Sequence, residues 1–109
     1  MIDLSGKVAI VTGGANGIGK GICKVLAEQG AHVVVTDVDL EGAAKVSSSI
    51  LESGGNSNEL KLDVTDQESI RSSVNHVIQE FGQIDILVNN AGVVGADGWW
   101  DRKIPNDDD

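Results

Sequence analysis

A doubly wound α/β fold built on a parallel sheet is predicted by three features of the sequence. Short strand-like runs stand at Val8–Val11, His32–Thr36 and Ile84–Val88, and the first of them is unbroken and apolar, as suits a strand covered on both faces. They alternate with segments whose apolar residues recur at helical spacing, the pattern of successive βαβ units. Between the first run and the first helical segment lies Thr12-Gly13-Gly14-Ala15-Asn16-Gly17-Ile18-Gly19, a strand-to-helix junction dominated by glycine. Glycines permit a sharp turn and close backbone approach, and the N–H groups opening a helix attract anionic oxygens, so this junction is expected to bind phosphate.

With 109 residues the chain suits one domain with a true apolar core. Hydrophobic residues make up 40% and charged ones 23%, a globular composition. No apolar run reaches the roughly 18 residues of a membrane helix. The start, Met1-Ile2-Asp3-Leu4, lacks the basic and apolar regions of a secretory signal, so a reducing interior such as the cytoplasm is expected. A single cysteine, Cys23, can form neither an internal disulfide nor a zinc cluster and reads as a packing thiol. A net charge of −9 with scattered lysines argues against nucleic acid as a partner, because phosphate neutralisation needs clustered cations.

In chain order, Asp3 to Lys7 is a turn leading into the strand Val8–Val11. The helix that follows carries Ile18, Ile22, Val25 and Leu26 as its apolar stripe, with Lys20, Lys24 and Glu28 on the wet side. Gly30 stands where a left-handed C-terminal residue is expected. The second strand, His32–Thr36, ends at Asp37. A carboxylate there can accept hydrogen bonds from adenosine ribose hydroxyls and repels a 2′-phosphate. It could instead cap the next helix, although Asp39 is free for that task, and the glycine junction favours the ribose role.

A helix from about Leu40 to Leu51 is predicted with Leu40, Ala43, Ala44, Ile50 and Leu51 on one face, ended by Gly54-Gly55. Ser47, Ser48 and Ser49 have no nucleophile-elbow context and read as surface or helix-lining residues. Leu60 and Leu62 mark a short third strand ending at Asp63-Val64. Thr65-Asp66-Gln67-Glu68 carries a capping-box pattern, and Ile70, Val74, Val77, Ile78 and Phe81 form the stripe of a third helix stopped by Gly82. His76 lies off that stripe, and no metal constellation surrounds it. The fourth strand, Ile84–Val88, runs into Asn89-Asn90-Ala91-Gly92, whose small residues allow backbone contact with a bound ligand. The expected strand order is 3-2-1-4. Beyond Val94 periodicity disappears. Trp99-Trp100 could cover part of a pocket or belong to a loose acidic tail.

The glycines do not satisfy G-x-G-x-x-G; they satisfy T-G-x-x-x-G-x-G. Together with Asp37, Asp63-Val64 and Asn89-Asn90-Ala91-Gly92, this pattern resembles the coenzyme-binding half of the short-chain dehydrogenase/reductase family, from Leu4 to about Val94. The resemblance implies a Rossmann-like half domain over residues 1–94, truncated after about the fourth strand, with 95–109 an irregular tail. It implies NAD as cofactor, held by Gly13, Asn16, Gly17, Ile18, Gly19, Asp37, Val38, Asp63, Val64, Asn90, Ala91 and Gly92. Asp63-Val64 would lie against the adenine. NADP-preferring members commonly place a basic residue before the second motif glycine or after the second strand; here stand Asn16 and Val38, so NADP is the lesser choice.

The resemblance also implies hydride exchange between a nicotinamide and an alcohol or carbonyl substrate, using a Tyr-x-x-x-Lys element and a Ser. This sequence has no tyrosine. No catalytic residue is therefore assigned, and the chain alone is expected to be inactive. A partial chain of a longer oxidoreductase is the leading expectation, with the alcohol or ketone substrate, and any homo-oligomer, belonging to that parent. A stand-alone nucleotide-binding module and a degenerate fragment are the alternatives.

Overall fold

A computed structural model of the chain describes residues 2–90. Four strands and three helices alternate: β1 (Val8–Thr12), α1 (Gly17–Glu28), β2 (His32–Asp37), α2 (Leu40–Glu52), β3 (Asn56–Lys61), α3 (Gln67–Phe81) and β4 (Ile86–Val88). The strands form one sheet in the order β3-β2-β1-β4, and every pairing is parallel. The chain is thus an α/β, Rossmann-like half sheet of the predicted order. No helix among the described residues is long and apolar enough to cross a membrane.

All of β1 is buried, as its unbroken apolar run requires. Alternate side chains of β1 and β2 feed two cores. Val11, Val33 and Val35 meet Cys23 of α1 and Ala43, Val46 and Ile50 of α2 on one face. Val8, Ile10 and Val34 meet Val77 of α3 on the other. The Cys23 thiol is fully buried, and desolvation raises its pKa to about 11, in keeping with a packing role.

Several sequence expectations need correction. Of the stripe predicted for α1, Ile18 is 76% and Val25 55% exposed. The helix instead rests on the sheet through Gly19 and Cys23, flanked by Ile22 and Leu26. On α2, Leu40 and Leu51 are exposed, and the buried face is Ala43, Val46, Ser47 and Ile50. The polar Ser47 disguised that face. Strand β3 starts at Asn56 among polar residues, because parallel pairing with β2 extends along His32 to Asp37 whatever the side chains. The capping box does not form: Asp66, not Thr65, caps α3 by accepting from the Glu68 N–H, while Thr65 bonds to Asp63. The fourth strand begins at Ile86, since Asp85 turns its carboxylate to the Val8 N–H.

Candidate functional site

The carboxyl ends of the strands open into a cleft of about 490 Å³, lined by Gly13, Asn16, Gly17, Ile18, Asp37, Val38, Leu62, Asp63, Val64, Thr65 and Asn90. Crevices of this kind, where strand order reverses across β1, are the usual ligand positions of doubly wound sheets. A second cleft of about 480 Å³ lies between the C-terminal parts of α1 and α2, where Lys24 and Glu28 are the charged lining residues among those described.

The junction after β1 supplies one wall. Gly17 has φ of 60°, a left-handed conformation that suits glycine and directs the chain into α1. Gly19 is buried beneath the loop, where an added Cβ would collide with the Gly13 carbonyl oxygen and stand 2.7 Å from Asn90 Nδ2. Its role is thus to let the helix approach the loop rather than to line the cleft. Asn16 makes no side-chain cap for α1, and no acidic residue stands in that helix's first turn. By contrast α2 and α3 are capped by Asp39 and Asp66. Among the described residues the N–H groups at the start of α1 have no intrahelical acceptor and no competing carboxylate cap, a suitable setting for an anion.

Strand ends supply the remaining walls. The Asp37 carboxylate accepts the Ala15 N–H at 3.1 Å and the Asp39 N–H at 3.0 Å. Across the cleft, the Thr65 hydroxyl at 2.6 Å and its N–H at 2.9 Å hold the Asp63 carboxyl below the usual carboxylate range. Thr12 ties the β1 and β4 ends together: its hydroxyl lies 3.3 Å from both the Val88 carbonyl and Asn89 Oδ1 and accepts the Asn90 N–H at 2.8 Å. Asn90 Nδ2 donates to the Gly13 carbonyl at 3.3 Å, steadying the loop. Asn89 thus serves the framework.

Of the residues expected at a cofactor site, Gly13, Asn16, Gly17, Ile18, Asp37, Val38, Asp63, Val64 and Asn90 share this cleft, and Gly19 lies beneath it. Ala91, Gly92, Trp99 and Trp100 lie outside the described residues. Sequence reasoning missed Leu62 and Thr65 as lining residues and Ala15 as the partner of Asp37. Leu62 was legible as an apolar residue at a strand end; nothing in the letters marked the Ala15 amide.

A family model for short chain dehydrogenases matches residues 7–105. The chain belongs to that family. It is 46% identical over 92 residues to the 3-oxoacyl-[acyl-carrier-protein] reductase FabG of Vibrio harveyi, covering 84% of this chain and 36% of that protein. A metagenomic short-chain oxidoreductase solved in complex with NADP superposes with a TM-score of 0.79 at 39% identity, over 82% of this chain and 40% of that one. A D-mannonate oxidoreductase candidate from Haemophilus influenza, solved with bound NAD, gives a TM-score of 0.79 at 34% identity, over 84% of this chain and 32% of the other. The chain therefore spans well under half the length of these relatives. As a family member it carries the nucleotide-cofactor part of a short-chain oxidoreductase.

Proposed function

We propose that the cleft at the carboxyl ends of the strands holds the adenosine diphosphate portion of NAD in preference to NADP. The observation that carries this reading is the pairing of an uncapped α1 N-terminus with the Asp37 carboxylate beside it in one cleft. Gly13, Asn16, Gly17 and Ile18 would face the diphosphate, Asp37 and Val38 the ribose, and Asp63 and Val64 the adenine, with Asn90, Ala91 and Gly92 beyond. The close approach enforced at Gly19 keeps that cradle open. Among the described residues the cleft lining includes two aspartates and neither lysine nor arginine, so a 2′-phosphate would meet repulsion there without a compensating cation. One solved relative is in complex with NADP and another has bound NAD, and the lining supports NAD here.

When bound, the nicotinamide would accept a hydride from an alcohol or return one to a carbonyl. The residues of this chain bind and orient; without a tyrosine they offer no Tyr-x-x-x-Lys acid/base. Substrate, turnover and any homo-oligomer accordingly belong to a longer parent chain, and the buried free thiol suits a reducing compartment such as the cytoplasm. Calorimetric titration should show NAD binding about tenfold or more tighter than NADP, the size expected of one close charge repulsion. Asp37→Ala should weaken NAD more than NADP, and equal losses would overturn the ribose assignment. An enzyme-dependent NADH change with a panel of alcohols and ketones would overturn the expected inactivity of these 109 residues alone.

A further inference from the structure

Asp37 holds two groups before any ligand is present. Its Oδ2 accepts the N–H of Ala15, in the middle of the glycine-rich loop, and its Oδ1 accepts the N–H of Asp39. Asp39 in turn caps α2 by accepting the Gly42 N–H at 2.9 Å. Gly42 then closes the circuit, since a Cβ there would collide with Asp39 Oδ2 and stand 3.1 Å from the Ala15 Cβ. One residue earlier, the Gly14 N–H donates to the Thr36 carbonyl at 3.0 Å, tying the loop to the end of β2. The loop after β1 is thus fastened along its centre to the β2–α2 junction, and among the described residues the Ala15 amide is held by one side chain, the Asp37 carboxylate.

We propose that Asp37 is a positioning residue for the glycine-rich loop, fixing the loop's backbone in the ligand-free protein in addition to meeting the ribose. A carboxylate has about four acceptor sites, so two backbone N–H groups leave room for ribose hydroxyls. Hydrogen bonds to an ionised acceptor are the stronger kind. The Ala15 amide, turned to Asp37, is not among those offered to an anion; its orientation sets the peptide planes that lead into Asn16 and Gly17. Loss of the carboxylate therefore costs affinity for any diphosphate ligand, because the free loop must be ordered at the moment of binding. The identity of that ligand rests on the cofactor reading above. The fastening itself does not.

The test has two arms on the full 109-residue chain. In the absence of nucleotide, amide hydrogen exchange at Ala15 should accelerate about tenfold in Asp37→Ala, the effect of losing one charge-assisted bond. Asp37→Asn, which keeps one acceptor oxygen, should retain part of the protection. Val34, in the middle of β2, reports whether each variant remains folded; if Asp37→Ala does not, Asp37→Asn decides. Unchanged Ala15 exchange in a folded variant overturns the proposal. The second arm compares ADP with 2′,3′-dideoxy-ADP, which lacks the ribose hydroxyls. Asp37→Ala should still weaken the dideoxy nucleotide about fivefold through the disordered loop, whereas equal dideoxy affinities would mean that Asp37 acts through the sugar alone and would overturn the proposal. Failure of both nucleotides to bind the wild-type chain would sink the cofactor reading and leave the exchange arm to decide the fastening.

Discussion

On the face of the sheet covered by α1 and α2, Val11, Val33 and Val35 sink into a continuous cluster with Cys23, Ala43, Val46 and Ile50. On the face covered by α3, the buried members are fewer: Val8, Ile10, Val34 and Val77. Much of α3's apolar stripe remains in contact with solvent, with Ile78 43% exposed, and Leu87 of β4 is 65% exposed. Among the described residues α3 covers its face alone, whereas α1 and α2 share theirs and pack against each other. The difference teaches that helical periodicity names a face without supplying its cover. The stripe that is most regular in sequence, on α3, is less completely buried than the one broken by Ser47 on α2.

The comparison is broken most severely by adding atoms to the filled face. Gly19→Ala places a methyl on the Gly13 carbonyl, and NAD affinity measured by calorimetry should fall by about 100-fold or more, the scale on which displaced binding groups are felt. Retained affinity would show that the loop yields where the packing says it cannot. Removing atoms sharpens the same contrast. Val35→Ala, at a position with no exposure, should lose about 2 kcal/mol in urea unfolding, while Ile78→Ala should lose less than half as much because its side chain already meets water. Equal losses would mean that the α3 face is as well covered as the other.

The smallest effect concerns the seam beside the open face. The Val8 N–H and then the Gln83 amide hold the Asp85 carboxyl below its usual range. A folded-state pKa depressed below the unfolded 3.8 contributes stability above about pH 4, and that contribution is lost as pH falls through the lower folded value. Exchange at the Val8 amide, corrected for its intrinsic rate, should therefore rise by a few fold, roughly two to five, on acidification to about pH 3. Asp85→Asn should abolish most of that dependence, and an unchanged slope would remove Asp85 from the seam.

Much of this architecture was legible because strands buried on both faces announce themselves. Val8 to Val11 and Val33 to Val35 could be placed without tertiary information, and the strand order followed from alternation and handedness. What failed was the detail set by contacts. Ile18 satisfies the helical period, yet the helix start overhangs the cleft and the residue lines it. Asn56 to Glu59 lack strand letters and are held by pairing with β2. Thr65 matches a capping pattern but is claimed by Asp63. Within the candidate site, residue types at strand ends could be read directly, while the Ala15–Asp37 bond involves a main-chain amide that every sequence possesses and none displays.

Strand β4 has three residues, yet β1 is stitched to its surroundings at both ends: Gln83 and Asp85 reach Gly6 and Val8, and Asn90 reaches Thr12 and Gly13. These closures join positions 77 or 78 apart, so their entropy must be met before the short ladder repays it. Assembly consequently has an order. A nascent chain leaving the ribosome can lay β2 and α2 against β1 while Asn90 is still unmade, so the brace on the Gly13 carbonyl arrives well after the loop it holds. A chain stopped before that asparagine would retain the residues of α1, α2 and α3 yet leave the Gly13 carbonyl without its brace.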